Sequence, residues 1–266
     1  MSKTLIIAEL GSSWRFGSDH LANAEKMIRE AKACGADVAK FQWTSSASQM
    51  AKRRGLGLEA EKMYATYLKY PAEWLQTLKV LCDASGIEFM CTVYLPQDIP
   101  VIAPLVKRMK VSAYESGWPK FLQANVDTGK EVIFSIRDDQ PVSWQPKPDS
   151  VVKSLICVSK YPTPLEDLHL ASLRPRGVPY KHPTTGQLIC LHSESFHAGL
   201  SDHTTSTLTG ALAVAAGATI LEKHVRLWDT PPDNPDYGHS LILDSDGEEL
   251  SFAAYCRNVR EAERCM

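Results

Sequence analysis

The sequence predicts a (β/α)8 barrel, the TIM-barrel fold class, formed by a single domain over residues 1–266. Short β-branched or apolar runs alternate with helical patterns along the chain, which is typical of parallel strands joined by crossover helices. There are eight such runs, and a chain of 266 residues without an obvious linker suits one large barrel. An open doubly wound sheet is the alternative, but residues 11–17 hold only two glycines of the phosphate loop that such a sheet normally carries.

The predicted strands are short runs rich in residues that favour extended structure. They cover residues 4–10, 37–43, 87–94, 109–113, 131–136, 152–159, 199–203 and 219–225. Amphipathic helical patterns lie between or after them, at residues 21–34, 71–85, 207–216 and 248–264. Gly35, Gly86 and Gly217 follow the first three patterns, where a helix is expected to stop.

Three stretches depart from this alternation. Residues 137–150 contain three prolines and no helical period, so we expect an irregular fifth crossover. Residues 174–198 are long for a connection, and the turn signal at 184–186 predicts an extra hairpin before strand 7. Residues 43–70 form a long connection that we interpret as a loop on the catalytic rim, able to act as a lid.

Composition excludes several classes of protein. The 29 basic and 31 acidic side chains leave a net charge of −2, so we expect neither nucleic acid nor membrane as a partner, but a small molecule. The first apolar run, residues 5–8, is cut by Glu9 and is too short for a signal peptide or a membrane span, which predicts a cytoplasmic protein. The seven cysteines include no Cys-x-x-Cys pair, which argues against a disulfide framework and a thiolate zinc site.

Polar side chains recur near the C-terminal ends of the predicted strands. Because these ends meet at one rim of a barrel, we expect the side chains to converge there. In chain order they are Glu9, Lys40, Gln42, Thr92, Tyr94, Lys110, Glu115, Ser135, Ser159, Tyr161, Ser201, Asp202, His203, Glu222, Lys223 and His224.

Two lysines in this set, Lys40 and Lys110, would repel each other inside one barrel mouth. The simplest arrangement that keeps both charged has an anion between them, such as a phosphate or a carboxylate. Hydroxyl groups of Thr92, Ser135 and Ser201 would then complete the hydrogen bonds of that anion.

Two histidines, His203 and His224, end adjacent predicted strands, which suits a divalent metal with open positions for water and substrate. A pair of ordinary hydrogen-bonded histidines is the alternative. Glu9 and Asp236 are further ligands or bases in this reading, and the candidate ions are Mn, Mg, Fe and Zn.

Several motifs, in one order along the chain, resemble the sialic acid synthase family. They are residues 6–11 (IIAELG), 35–42 (GADVAKFQ), 161–164 (YPTP), 199–204 (GLSDHT), 217–224 (GATILEKH), 235–236 (PD) and 240–241 (SL). The resemblance spans almost the whole chain. It implies a (β/α)8 barrel in which phosphoenolpyruvate condenses with the open-chain aldehyde of an N-acetylated amino sugar, such as N-acetylmannosamine. The products are a 2-keto-3-deoxy sugar acid and phosphate, and a divalent metal, usually Mn, is expected.

The resemblance also implies roles for the residues at matching positions. The phosphoenolpyruvate site would consist of Lys40, Thr92, Lys110, Ser135 and Ser201, and the metal ligands would be His203 and His224. Residues around the reacting carbons and the acceptor sugar would be Glu9, Gln42, Tyr94, Glu115, Ser159, Tyr161 and Asp236. Those expected to take part in catalysis are Glu9, Lys40, Lys110, Glu115 and Asp236.

The sequence departs from the family at positions that bear on the acceptor. Residues 12–17 replace an Asn-His-x-Gly type segment, Ala113 replaces a serine, and Ser159 replaces an asparagine. The C-terminal antifreeze-like domain of the bacterial synthases is not found, so a homodimer has little support beyond the family. We expect Trp14, Arg15 and Trp43 to shape the acceptor pocket. A different aldehyde acceptor, a non-catalytic barrel that binds phosphoenolpyruvate or sugar, and a metal-dependent hydrolase stay open as alternatives.

Overall fold

Parallel strands close into a barrel in the computed structural model, which describes residues 3–137, 144, 149–173, 180–181, 188–189, 197–247 and 250–266. The strands are β1 (Leu5–Glu9), β2 (Val38–Gln42), β3 (Glu88–Val93), β4 (Arg108–Val111), β5 (Glu131–Arg137), β6 (Val152–Cys157), β7 (Tyr180–Lys181), β8 (Leu188–Ile189), β9 (His197–Asp202), β10 (Ile220–Arg226) and β11 (Leu241–Ile242). The sheet order is β1-β2-β3-β4-β5-β6-β9-β10, and β1 pairs with β10 to close the ring. The predicted TIM barrel is therefore confirmed.

The eight barrel strands are those predicted from the sequence, each end within two residues of its expected position. The described helices are α1 (His20–Cys34), α2 (Ala47–Arg53), α3 (Leu58–Tyr67), α4 (Glu73–Ala84), α5 (Ile99–Ile102), α6 (Pro119–Val126), α7 (Thr209–Ala215) and α8 (Phe252–Cys265). The four predicted helices are confirmed as α1, α4, α7 and α8. In the described part of the chain no helix has both the length and the apolar character needed to cross a membrane.

The long connection at residues 43–70 contains two helices that were not predicted from the sequence, α2 and α3. The Ser46 hydroxyl accepts a hydrogen bond from Gln49 N–H at 3.3 Å and so caps the first turn of α2. Met50 of α2 and Tyr64 of α3 are buried in one apolar cluster with Tyr94, which follows β3. These two helices are stabilised by burial of one face of each against the cluster. The sequence of this segment has no strong helical period from which they could be predicted.

The extra hairpin before strand 7 is confirmed, because β7 and β8 pair in antiparallel fashion ahead of β9, the seventh strand of the barrel. Its predicted turn lies outside the described residues. Most of the predicted irregular fifth crossover, residues 137–150, lies outside them too. Trp144 is described, and its buried ring packs edge-on against Phe134 of β5 with centroids 6.2 Å apart.

Side chains alternate along each strand between the barrel interior and the layer under the helices. An apolar layer inside the barrel includes Ile7, Val38, Met90, Ile133, Leu155 and Ile220. Two residues further along the same strands come Glu9, Lys40, Thr92, Ser135, Cys157 and Glu222. The period of two thus places a polar layer directly above the apolar one, at the carboxyl ends of the strands.

Candidate active site

Lys40 and Lys110 project into the barrel from β2 and β4, and a carboxylate of the protein lies between them. Glu222 of β10 places Oε2 3.6 Å from Lys40 Nζ and Oε1 3.6 Å from Lys110 Nζ. All three side chains are buried. The sequence predicted an anion between the lysines, and in the structure the anion in this place is the side chain of Glu222, which was not among the predicted substrate-binding residues.

Three hydroxyl groups surround these charges. Lys40 Nζ donates to Thr92 Oγ1 at 3.0 Å, and Lys110 Nζ donates to Ser135 Oγ at 2.9 Å. The Ser201 hydroxyl donates to Glu222 Oε1 at 3.2 Å. We call the six residues Lys40, Thr92, Lys110, Ser135, Ser201 and Glu222 the polar cup. The structure brings together all five residues that the sequence assigned to an anion site, and adds Glu222.

Glu9, at the end of β1, forms an ion pair with Lys40 at the edge of the polar cup. Its Oε1 accepts a hydrogen bond from Gly11 N–H at 2.7 Å, and the side chain is buried. The backbone donor fixes the direction of the carboxylate, so that Oε2 faces the ammonium group of Lys40. Glu9 is therefore held at the position where the sequence analysis expected a base.

The charges of the polar cup shift each other's pKa values. Burial lowers the pKa of Lys40 to about 8, because the attraction of Glu222 only partly offsets desolvation and the repulsion of Lys110. Burial by itself raises the pKa of Glu222, but the two lysines outweigh it and lower that pKa to about 2. Glu222 is therefore charged at pH 7, and burial makes Lys40 easier to deprotonate than an exposed lysine.

His203 and His224 lie beside each other, with ring centroids 5.4 Å apart. His203 Nδ1 lies 3.0 Å from the carbonyl oxygen of Val158. A carbonyl can only accept, so Nδ1 carries the proton and Nε2 keeps a free lone pair. Burial, helped by the neighbouring His224, lowers the pKa of His203 to about 3, so the ring is neutral at pH 7. A neutral imidazole with a directed lone pair is the form that binds metal.

A third histidine, His239, joins this group through Asp236. His224 Nδ1 and His239 Nε2 lie 3.6 and 3.5 Å from Asp236 Oδ1, and the three ligand atoms all lie within 4.8 Å of one another. We call His203, His224, Asp236 and His239 the histidine cluster. No role for His239 was predicted from the sequence. The sequence feature that could have indicated one is the Asp-x-x-His spacing of residues 236–239, but these residues lie in a connection, where no strand period marks a site residue.

The donor set of the histidine cluster fits the divalent metal that the family resemblance implies. His224 Nδ1 and His239 Nε2 are buried and have no hydrogen-bond partner in the structure. Buried polar atoms are normally satisfied, and two imidazole nitrogens facing one carboxylate oxygen are typical ligands of Mn, Fe, Co or Zn. The roles of His203 and His224 as metal ligands stay predictions.

Asp236 is oriented by the loop that follows β1. Ser12 N–H donates to Asp236 Oδ2 at 2.6 Å, which leaves Oδ1 directed at the histidines. The loop approaches this closely because residue 11 is glycine. Gly11 has φ +46°, and a Cβ there would lie 2.1 Å from Asp236 Oδ2. Asn234 also holds this loop, because its Oδ1 accepts from the Ser12 hydroxyl and its Nδ2 donates to the Ser12 carbonyl.

Glu115 was expected to take part in catalysis, but a cation not predicted from the sequence occupies both of its oxygens. Arg54, directly after α2, donates from Nε to Oε1 at 2.8 Å and from Nη2 to Oε2 at 2.7 Å. The guanidinium also lies over the rings of Tyr94 and Tyr114, at 5.2 and 4.8 Å from their centroids. A carboxylate held in this way is fixed in direction by charge-assisted hydrogen bonds. Arg54 carried no motif in the sequence, because only folding of residues 43–70 brings it here.

The remaining predicted residues differ in how close they lie to the site. Gln42 ends β2 on the same face as Lys40 and is half-buried, and Tyr94 is buried under Arg54. The Tyr161 ring lies 4.5 Å from the ring of His203 and 5.0 Å from that of His239, and 56% of the residue is exposed. Ser159 follows β6 and is exposed, so its assignment to substrate binding stays a prediction without a contact to the polar cup.

The expectation that Trp14 and Trp43 shape the acceptor pocket is wrong. Trp14 has no exposed surface and packs edge-on against Phe41 and Tyr70, with centroids 5.7 and 5.1 Å apart. Trp43 is buried too and donates from its indole N–H to the Tyr70 carbonyl at 2.9 Å. Arg15 stacks over the Trp14 ring, 5.3 Å from its centroid. Strand alternation directs Phe41 and Trp43 away from the barrel interior, so these aromatic groups fill the layer under the helices.

Fold and site together define a TIM barrel with a polar cup and a histidine–carboxylate cluster at the carboxyl ends of its strands. The NeuB family model matches residues 27–266, and the chain belongs to the NeuB family. The resemblance to sialic acid synthases found in the sequence is confirmed.

Similar proteins cover nearly all of this chain. The N,N'-diacetyllegionaminic acid synthase of Legionella pneumophila is 28% identical over 98% of this chain and 72% of its own length. A pseudaminic acid synthase of Campylobacter jejuni is also 28% identical, over 99% of this chain and 75% of its own. The crystal structure of N-acetylneuraminic acid synthetase from Leptospira borgpetersenii, 22% identical, superposes with a TM-score of 0.77 over 99% of this chain and 85% of that one, which supports the barrel fold.

Proposed function

We propose that the protein catalyses the metal-dependent condensation of phosphoenolpyruvate with an aldose, releasing phosphate and a 2-keto-3-deoxy sugar acid. The acceptor class we favour is an N-acylated amino sugar such as N-acetylmannosamine, because the relatives are named as synthases of sialic-acid-like sugars. The observation that carries the proposal is the polar cup, in which two buried lysines and three hydroxyls lie beside a histidine cluster suited to a metal.

The polar cup supports binding of a substrate with two anionic groups. Lys40 and Lys110 enter from different strands and are kept apart by Glu222, so each ammonium group can face one charge of phosphoenolpyruvate, its carboxylate or its phosphate. Thr92 and Ser135 lie at hydrogen-bond distance from the lysines and supply neutral donors to the same anion. Donors fixed by packing before the substrate arrives stabilise developing charge without reorganisation.

The histidine cluster supports the metal requirement. His203, His224 and Asp236 would hold the ion, which when bound polarises the aldehyde oxygen of the acceptor as a Lewis acid. The neutral state of His203 and the fixed direction of its Nε2 suit this role. The open side of Tyr161, beside His203 and His239, is where we place the acceptor sugar.

Glu9 is the carboxylate that we assign to proton transfer in the second half of the reaction. After the carbon–carbon bond forms, water adds to the former C2 of phosphoenolpyruvate, and a carboxylate must accept its proton. Glu9 Oε1 is held by Gly11, while Oε2 faces the ammonium group of Lys40 in an ion pair, which places the lysine next to the proposed base. We do not assign this role to Glu115, because Arg54 donates hydrogen bonds to both of its oxygens.

Phosphate release with and without an aldose tests the proposal. Purified protein is incubated with phosphoenolpyruvate, Mn²⁺ and a panel of N-acylated and plain aldoses, and the bridging oxygen of phosphoenolpyruvate is labelled with ¹⁸O. A synthase releases phosphate only with an acceptor, and the label appears in phosphate because the C–O bond breaks. Label retained in pyruvate without an acceptor indicates a hydrolase that cleaves the P–O bond, and binding without release indicates a non-catalytic barrel; either contradicts the proposal.

A matched pair of lysine variants tests the site. Lys110→Met should abolish phosphoenolpyruvate binding in calorimetry, whereas Lys107→Met, an exposed lysine three residues earlier, should bind normally. Equal affinity of the two variants contradicts the assignment of the polar cup. A homodimer and a cytoplasmic location, both expected from the sequence, stay predictions.

A further inference from the structure

We propose that His239 is a protein ligand of the divalent metal and completes, with His224 and Asp236, a set of two histidines and one carboxylate. The inference rests on the proposed function for the presence of a metal, but it concerns a residue for which neither the sequence nor the family resemblance implied a role. The three proposed ligands lie together, with His203 beside them.

The burial of these groups argues for a cation at their centre. His224 and His239 are only 7% and 4% exposed, and Asp236 lies between them with one oxygen facing both rings. The two ring nitrogens that face this oxygen are buried and make no hydrogen bond. A buried carboxylate facing such nitrogens is costly unless a positive charge is shared among them.

The distances between Asp236 Oδ1 and the two histidine nitrogens also support a bound cation. Separations of 3.5 and 3.6 Å between Asp236 Oδ1 and the two ring nitrogens are too long for good hydrogen bonds, and both nitrogens lack another partner. If one ion bound all three atoms at about 2.1 Å with near-tetrahedral angles, the nitrogen–oxygen separations would be about 3.4 Å. The two nitrogen–oxygen separations therefore match those of ligands of one ion, and all three atoms lie within 4.8 Å of one another.

Local structure explains why Asp236 and His239 face the same point. The residues Tyr237–His239 form a 3₁₀ turn with Asp236 at its N-cap. Side chains at positions i and i+3 of a 3₁₀ turn lie one above the other. Ser12 holds the remaining oxygen of Asp236, and the Ser240 hydroxyl donates to the Asp236 carbonyl at 2.7 Å, which closes the turn.

The chemistry of the donor set selects the ion. Two imidazoles and one carboxylate favour Mn²⁺, Fe²⁺, Co²⁺ or Zn²⁺ over Mg²⁺ and Ca²⁺, which prefer oxygen ligands. Three protein ligands leave open positions for water and substrate. His203 Nε2 is free to fill one of them, which keeps its predicted role compatible with this site.

Binding of Mn²⁺ by the chelator-treated, full-length chain tests the inference, with the free ion followed by its electron paramagnetic resonance signal. His239→Ala should bind Mn²⁺ at least about tenfold more weakly than the wild type. His169→Ala, a half-buried histidine outside the histidine cluster, is the matched control and should bind as the wild type does. Equal affinity of His239→Ala and the wild type overturns the inference.

If His239→Ala does not fold, anomalous diffraction from wild-type crystals grown with Mn²⁺ decides. A peak at bonding distance from His239, His224 and Asp236 supports the inference, and a peak that His239 does not contact overturns it. None of these measurements needs phosphoenolpyruvate or turnover. A chain that binds Mn²⁺ through His239 but releases no phosphate with any aldose would retain this inference and contradict the proposed function.

Discussion

Arg54 and Glu115 form a buried ion pair with two parallel hydrogen bonds, Nε to Oε1 at 2.8 Å and Nη2 to Oε2 at 2.7 Å. The pair joins the segment after α2 to the loop after β4, and the guanidinium lies over three tyrosine rings. Glu115 raises the pKa of Arg54 even though burial alone would lower it, so the arginine stays charged at any pH at which the protein is folded. Glu115 therefore positions the rim of the barrel.

Glu115→Gln should destabilise the protein without removing a catalytic base. The variant leaves a buried guanidinium without its counter-charge, which costs about 3 kcal/mol of unfolding free energy or more. Urea denaturation of this variant, of Arg54→Met, and of the double variant Arg54→Met/Glu115→Gln measures the coupling between the two residues. The double variant should be more stable than either single one.

The exposed pair Lys62–Glu59 provides the control for this cycle. Glu59→Gln should change the unfolding free energy by less than about 0.5 kcal/mol, because solvent screens the charges. Full stability of Glu115→Gln together with loss of phosphate release would show that Glu115 acts in catalysis after all.

Glu222→Gln should make the stability of the protein depend on added anion. Without the carboxylate, Lys40 and Lys110 repel each other across the polar cup, and an external anion can take the place of Glu222. The melting temperature of the variant should therefore rise more with inorganic phosphate than that of the wild type does, by the mass-action effect of binding to the folded state. An equal rise in both proteins at matched ionic strength would argue against an anion site between the lysines.

Lys223→Met should destabilise the protein and leave the polar cup intact. Lys223 follows Glu222 on β10 but is fully buried on the opposite face of the strand, where it pairs with Asp202 at 3.1 Å. Removal of one partner of such a pair costs about 3 kcal/mol, measurable by urea denaturation. Phosphate and Mn²⁺ affinities of the folded variant should match the wild type; loss of either would mean that the two faces of β10 are not independent.

Binding of phosphoenolpyruvate should weaken as the pH rises above about 8, because the pKa of Lys40 is lowered to about 8. Above this pH the empty polar cup holds a neutral amine, and the arriving anion raises the pKa of Lys40 and draws in a proton. Calorimetry in two buffers of different ionisation enthalpy, between about pH 7 and pH 9, measures this proton uptake. Lys40→Arg stays protonated, so its affinity should not change with pH over this range. Proton uptake that persists in Lys40→Arg would assign the titration to another group.

Gly11→Ala should weaken metal binding more than it weakens the fold. The added Cβ would lie 2.1 Å from Asp236 Oδ2 and would displace the carboxylate from the hydrogen bond of Ser12. The positive φ of residue 11 adds about 1 kcal/mol of strain. Electron paramagnetic resonance should show Mn²⁺ affinity reduced at least about tenfold. Gly17→Ala, with φ +65° and no atom within 4 Å of the added Cβ, controls for the strain alone. Similar Mn²⁺ affinity in both variants would contradict the role of Gly11.

The sequence by itself determined the barrel, because the period of two along a strand and the alternation of strands with helices are local properties of the chain. All eight strands followed from them, and so did the position of Lys40, Lys110, His203 and His224 at one rim. The convergence of Thr92, Ser135 and Ser201 on the lysines has the same origin, since carboxyl ends of parallel strands meet at one end of a barrel.

Only the tertiary structure decided which charges meet. Glu222 lies on the inward face two residues before His224, so strand alternation could have placed it in the site, but its distance to the lysines depends on the curvature of the closed ring. Arg54 and His239 stand in connections without a strand period, and their positions follow from the packing of α2 and from a 3₁₀ turn. Trp14 is the opposite case. It lies close in sequence to Ser12, which contacts the site, but its own side chain is buried in the core. Side-chain direction in a loop is set by contacts distant in sequence, and a local pattern carries no information about them.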